Sequence, residues 1–172
     1  MSHDVSTELD LPIADGELFT CVDDSGATGA LVSWIIDGIE RGERVVLVTS
    51  NTLAMRLLDA MQAERLPVAR YLGDERIRLV PASIVVRAVT EGGEIDPTLY
   101  DALVGRLCGR LAGEGRIRVL SEITDEAVRQ LGPEAALLAE QAWSRVVDDL
   151  DGAVLSLADL TVGAAVPLAQ RL

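Results

Sequence analysis

No lysine occurs anywhere in the chain; its fifteen basic residues are all arginine. A Schiff-base lysine and the phosphate-binding lysine of a P-loop are thereby excluded. Histidine is represented by His3 alone, so His-based triads and His-rich metal sites are excluded as well. Aromatic residues make up only 3% of the sequence, which leaves Leu, Val, Ile and Ala to fill a core. Cysteine is scarce: Cys21 and Cys108 lie far apart in apolar surroundings and read as reduced, buried thiols, not as a disulfide framework. Neither G-x-S-x-G nor C-x-x-C occurs. The longest apolar runs, such as Ala30–Ile36, fall far short of the roughly 20 residues that span a bilayer. Met1–Asp10 is polar and acidic, unlike a signal peptide, and a cytoplasmic location is expected.

Positive charge is also in short supply. Fifteen basic residues against 28 acidic ones give a net charge of −13. A nucleic-acid binder needs a basic face to neutralise phosphates, and none is visible, so direct binding of DNA or RNA is not expected. An anionic membrane surface is disfavoured for the same reason. A basic partner protein stays open.

The material that is present suits one α/β domain. The chain has 172 residues, 49% of them hydrophobic, with a mean hydropathy of +0.27. Strand-like and helix-like segments alternate. Glu17–Val22 reads as a first strand, Ala27–Arg41 as a helix stopped by Gly42, and Arg44–Thr49 as a buried strand. Ser50 or Asn51 caps a helix carrying Leu53, Leu57, Leu58 and Met61 on one face. Ile77–Val80 is a third strand; Ser83–Thr90 is either a short helix or an extended piece. After Gly92-Gly93 and Asp96-Pro97, Leu99–Leu111 forms an amphipathic helix, and Ile117–Leu120 a fourth strand. Pro133–Leu150 reads as the longest helix, with Pro133 in its first turn, and Ala153–Leu157 as a fifth strand. Such alternation gives βαβ units and a mainly parallel sheet with helices on both faces. A single domain over 14–163 is expected, between a flexible segment 1–13 and a tail 164–172.

In an open parallel sheet, ligands bind beyond the carboxyl ends of the strands. Those ends collect Asp23, Asp24, Ser25 and Thr28, then Thr49, Ser50 and Asn51, then Ser83, then Ser121 and Glu122, and last Asp159. The candidate ligand-binding set drawn from them is Asp23, Asp24, Ser25, Thr28, Thr49, Ser50, Ser83 and Glu122. Asp24-Ser25-Gly26-Ala27-Thr28-Gly29-Ala30 sits where a P-loop would. Its glycines have the wrong spacing, Ala30 stands where the lysine would, and two carboxylates precede it that would repel a triphosphate. The plain alternative is a strand–helix turn capped by Ser25. Glu122 ends its strand as the acidic residue of a Walker B strand does, but no lysine holds phosphates for it to serve. Trp34 and Trp143 lie on the apolar faces of their helices and are read as core.

Three blocks of the sequence add a resemblance. They are Gly29–Ser50 (GALVSWIIDGIERGERVVLVTS), Ile117–Glu122 (IRVLSE) and Glu140–Ser144 (EQAWS). From about Phe19 to Leu160 the chain resembles the MEDS family, the sensory domain of methanogen and methylotroph regulators, whose members show a similar "vRvfgEm" strand and "E..Wn" helix. The family is similar to diverged RecA and KaiC-type ATPases. The resemblance therefore implies a three-layer RecA-like fold, with a mainly parallel sheet of five or more strands, and a role in signal sensing or regulation. Members often sit beside a DNA-binding, kinase-type or anti-sigma-antagonist module. None accompanies this sequence, and Phe19-Thr20-Cys21 replaces the His and aromatic residues that many members carry there.

The expectation is a stand-alone sensory or regulatory domain of bacterial signal transduction or transcriptional control. It binds a small molecule, a regulatory protein partner, or both, with no catalytic residue, cofactor or metal. Two alternatives stand beside it: a magnesium-dependent enzyme using Glu122 with Asp23 or Asp24, and a structural homo-oligomer whose tail Val162–Leu172 docks on a neighbour.

Overall fold

The structure is a computed structural model that describes residues 25–112, 115–148, 150 and 152–157. Four strands form its main sheet: β1 (Arg44–Thr49), β2 (Ile77–Pro81), β5 (Ile117–Ser121) and β6 (Gly152–Ser156). They are all parallel and lie in the order β2-β1-β5-β6. The register sets Val46 beside Val119 and Leu120 beside Leu155, and the ends Val48, Ser121 and Ser156 fall in one row. β1 and β5 are central and buried on both faces, so both are built mainly from Val, Leu and Ile, with the buried Arg118 as the charged exception inside β5. The mixed α/β class is as expected, but the described sheet has four strands, not five or more. The strand expected over Glu17–Val22 lies outside the described residues.

Side-chain alternation divides the core in two. Val45, Leu47, Leu120 and Leu155 join Leu31, Val32, Trp34 and Ile35 of α1 (Ser25–Glu40), with Leu57 and Met61 of α2 (Asn51–Ala63). Val68, which opens α3 (Val68–Gly73), completes that layer. Val46, Val48, Val119 and Val154 face the other way. They pack on α4 (Ala82–Ala88), α6 (Arg106–Ala112), α7 (Ile123–Leu131) and α8 (Ala135–Asp148).

Local chemistry accounts for the boundaries. The Ser50 hydroxyl accepts the Leu53 N–H at 3.3 Å and caps α2. Gly42 takes φ of +80° after α1, the left-handed stop that favours glycine. Gly92 and Gly93, with φ of +63° and +89°, turn the hairpin β3 (Thr90–Glu91) to β4 (Glu94–Ile95), and two successive positive φ angles are what a type I′ turn needs. Asp96 then caps α5 (Pro97–Tyr100), its carboxylate accepting the Leu99 N–H at 2.8 Å. Asp101–Gly105 follows as a π-helical turn leading into α6, so the single helix expected over Leu99–Leu111 is a continuous run with a widened middle.

Two expectations change. The helix expected from Pro133 starts at Ala135, with Pro133 just ahead of it supplying its carbonyl to Ala136, and at 14 residues it is shorter than the 16 of α1. The undecided stretch Ser83–Thr90 is helical as far as Ala88, within α4, which buries Ala82, Val85 and Val86 at helical spacing, while Thr90 opens β3. α7 was not anticipated in the sequence.

Candidate functional site

At the carboxyl edge of the sheet the chain leaves β5 through Glu122, whose N–H still bonds the Val48 carbonyl of β1 at 2.8 Å. The Glu122 side chain turns back across the sheet, and its Oε2 accepts the Ser50 N–H at 2.6 Å. One carboxylate therefore ties the ends of β1 and β5 at the point where α2 begins. Thr49 lies buried beneath, 2% exposed. Of the residues expected at this edge, Thr49, Ser50 and Glu122 come together. Thr28 sits half-buried in α1, and Ser83 on α4 gives its carbonyl to Gln130 at 3.4 Å. Among the described residues no hydrogen bond joins either to the Ser50–Glu122 pair. Asp23, Asp24 and Asp159 lie outside the described residues, as does the side chain of Ser25, which is itself the first residue of α1.

A second polar group, which the strand-end reading missed, sits beside this edge. Ser121 and Ser156 are fully paired neighbours on β5 and β6, buried at their last positions. Ser121 Oγ accepts the Trp143 indole N–H at 2.9 Å and the Ile123 N–H at 3.2 Å, fastening α8 and the start of α7 to the strand end. Ser156 Oγ donates to Glu140 Oε1 at 3.2 Å, and the Thr124 hydroxyl donates to the same oxygen. Glu140 Oε2 is buried without a hydrogen-bond partner among the described residues. Burial raises the Glu140 carboxyl above its ordinary range, against the lowering effect of the two hydroxyl donors.

Aromatic groups line the same place. The Tyr100 and Trp143 rings meet edge to face, 6.1 Å between centroids at 77°. Tyr100 is fully buried and its hydroxyl also lacks a partner among the described residues. Burial, reinforced by the nearby Glu140 and Asp101 carboxylates, holds that phenol well above its usual value, so it stays neutral. Cys108 is buried nearby, its thiol pushed up to about 12 by desolvation, which makes it a small apolar filler and not a nucleophile. Glu140 Oε2 and the Tyr100 hydroxyl are thus two buried polar atoms without partners among the described residues.

The opposite, amino end of the sheet carries an unrelated ionic knot. Arg118 on β5 points into the α1 layer, where its Nε donates to Glu43 Oε2, one Nη donates to the Trp34 carbonyl at 2.8 Å and the other to Asp37 Oδ2 at 2.6 Å. The guanidinium also lies 5.2 Å from the Trp34 ring centroid. Gly38 makes room: a Cβ there would fall 2.5 Å from Arg118 Cδ. Desolvation works to raise Asp37, but the Arg118 hydrogen bond and charge prevail and hold it below its ordinary value. Each of the three guanidinium nitrogens bonds within the fold and the side chain is buried, so this arginine acts as a staple.

Among the described residues no group of three or more His, Cys, Asp or Glu could hold a metal ion, and no helix is long and apolar enough to cross a membrane. No curated protein matches the chain. Residues 18–165 match the family described as MEDS, MEthanogen/methylotroph, DcmR Sensory domain. The structure gives those matching blocks their roles, joining Trp34, Asp37 and Glu43 to Arg118 at one end of β5, and Ser121 to Trp143 at the other. With nearly its whole length covered, the chain belongs to the MEDS family of sensory domains.

Proposed function

We propose that this domain senses a small hydrogen-bonding ligand held at the carboxyl edge of a RecA-like sheet, and passes the signal by contact with a regulatory protein, without hydrolysing ATP. The observation that carries the reading is Glu140. Its Oε2 is buried and unpartnered, beside the equally unpartnered Tyr100 hydroxyl, where two strand ends and two helices meet. Buried polar groups are nearly always bonded, so an orphan pair at a ligand-binding edge points to a guest that supplies the missing bonds. A guest there would touch α7 and α8 together, and a shift between those helices would change the surface offered to a partner.

Two features support the absence of hydrolysis. The sequence has no lysine to reach a terminal phosphate. Glu122, in the position of a Walker B acid, already accepts the Ser50 N–H at 2.6 Å. A magnesium-dependent enzyme is the second reading; it would use Glu122 with Asp23 or Asp24, and those two lie outside the described residues. The test is phosphate release and thermal melting with ATP, ADP and GTP plus Mg²⁺. The expected outcome is no phosphate above buffer and no nucleotide-induced shift. Turnover would overturn the class of function; a nucleotide shift that persists in Glu140→Gln would move the ligand away from Glu140 to the degenerate loop.

A further inference from the structure

Among the described residues, the two acidic side chains on wholly buried residues each have an arginine for company. Arg118 donates to Glu43, and Arg129 donates to Glu126. Glu140 differs. Its Oε1 accepts two neutral hydroxyls, from Thr124 and Ser156, and its Oε2 is buried without a partner among the described residues. The arginine of its own helix, Arg145, donates instead to Asp101 at 3.3 Å. A buried carboxylate without a countercharge is costly, and either a proton or a cation relieves it. The two hydroxyl donors on Oε1 favour the ionised form, which burial opposes.

The Tyr100 hydroxyl is the second unpartnered group, and the charge of Glu140 is felt at that phenol, which places the two in one neighbourhood. A neutral phenol oxygen accepts a hydrogen bond as readily as it donates one. Around it the chain is apolar: Tyr100 shares a cluster with Ala139, Ala142 and Trp143 of α8 and meets the Trp143 ring edge to face. The group that completes this place donates to two oxygens, carries positive charge, and is apolar elsewhere. Water brings donors without charge, and an alcohol donates only once. An alkylammonium ion has three donors on a charged nitrogen, and aromatic rings attract such a cation.

We propose that the guest of this site is a small primary ammonium ion, its nitrogen donating to Glu140 Oε2 and to the Tyr100 hydroxyl oxygen. The proposal rests on the sensing reading above and names the chemical class of its ligand.

Thermal melting of the full chain at about pH 7 compares ethylammonium chloride, ethanol and tetramethylammonium chloride, with sodium chloride as the control for ionic strength. A guest of three heavy atoms binds no tighter than about 0.5 mM, so each probe is taken to about 50 mM. Ethylammonium is expected to raise the melting temperature saturably, by roughly 3–10 °C beyond sodium chloride. Ethanol has the size without the charge, and tetramethylammonium has the charge without an N–H; neither is expected to exceed the control. Glu140→Gln keeps the shape of the side chain and should lose the ethylammonium shift. Where that variant does not fold, the contrast among the three probes in the wild type decides alone. Ethanol or tetramethylammonium matching ethylammonium overturns the ammonium guest and leaves the sensing reading standing. An ethylammonium shift that survives in Glu140→Gln, or no shift with any probe, overturns both.

Discussion

Replacing Arg118 with alanine is expected to destabilise the domain by roughly 3–5 kcal/mol, because the change strands the Glu43 carboxylate in the core. Glu43 is 7% exposed and Arg118 6%, so neither can turn to water. The guanidinium serves three acceptors on two segments, the carboxylates of Glu43 and Asp37 and the Trp34 carbonyl. Lysine cannot reproduce that fork, and Arg118→Lys should lose a large part of the same stability. A domain of this size loses about 2–4 °C in melting temperature per kcal/mol, so Arg118→Ala should melt about 10 °C lower. The decisive control is the cycle with Glu43→Ala. The double variant should lose much less than the sum of the singles, since it removes the buried charge along with its partner. A loss below about 1 kcal/mol for Arg118→Ala, or simple additivity in the cycle, would show that the knot is not the staple described.

The second large effect is expected at Trp143. It is fully buried, packs edge to face with Tyr100, and its indole N–H bonds Ser121 Oγ. Trp143→Ala opens a cavity on the α8 side of the sheet and should lose roughly 3–5 kcal/mol. Trp143→Phe keeps most of the packing but withdraws the donor from a buried hydroxyl, for a loss of about 1–3 kcal/mol. Denaturant unfolding checks both. A phenylalanine variant as stable as the wild type would mean that the indole N–H contributes packing alone and does not fasten α8 to the end of β5.

Both sites bear on how much of the fold was visible in the residues. Arg44–Thr49 is a central strand with no polar break, and its observed bounds coincide with the reading. The Ser50 cap and the α2 face were equally plain, because cap and periodicity agreed. Ser83–Thr90 stayed undecided because Ile84, Val85 and Val86 are β-branched while their spacing also suits a helix. Packing of Val85 and Val86 against the sheet settles it. α7 was passed over, although Asp125 and Glu126 in its first turn, with Arg129 in its last, are the charge pattern of a helix.

The site was half legible. Ser50 and Glu122 follow from topology alone, since they end strands that proved to be neighbours. Glu140, Thr124, Ser156 and Tyr100 belong to four separate elements, and no spacing in the sequence announces that they converge. Glu140 stood out only within the family-like block Glu140–Ser144, which gave it no role, whereas Trp143 was read as core and is fully buried. Arg118 was likewise quoted in IRVLSE without a partner. Long-range ion pairs such as Arg118 with Glu43, 75 positions apart, leave no local trace.

The most direct measurement is the melting of the full chain with ammonium, short primary amines and short alcohols, in the wild type and in Glu140→Gln. These probes supply the small donors that the Glu140 oxygen and the Tyr100 hydroxyl lack. At about 100 times its dissociation constant a ligand adds roughly 2.7 kcal/mol, or about 5–10 °C in a domain of this size. At least one probe is expected to raise the wild-type melting temperature by such an amount, with the shift largely lost in Glu140→Gln. No shift with any probe, or an equal shift in both proteins, would contradict a sensing site built around Glu140.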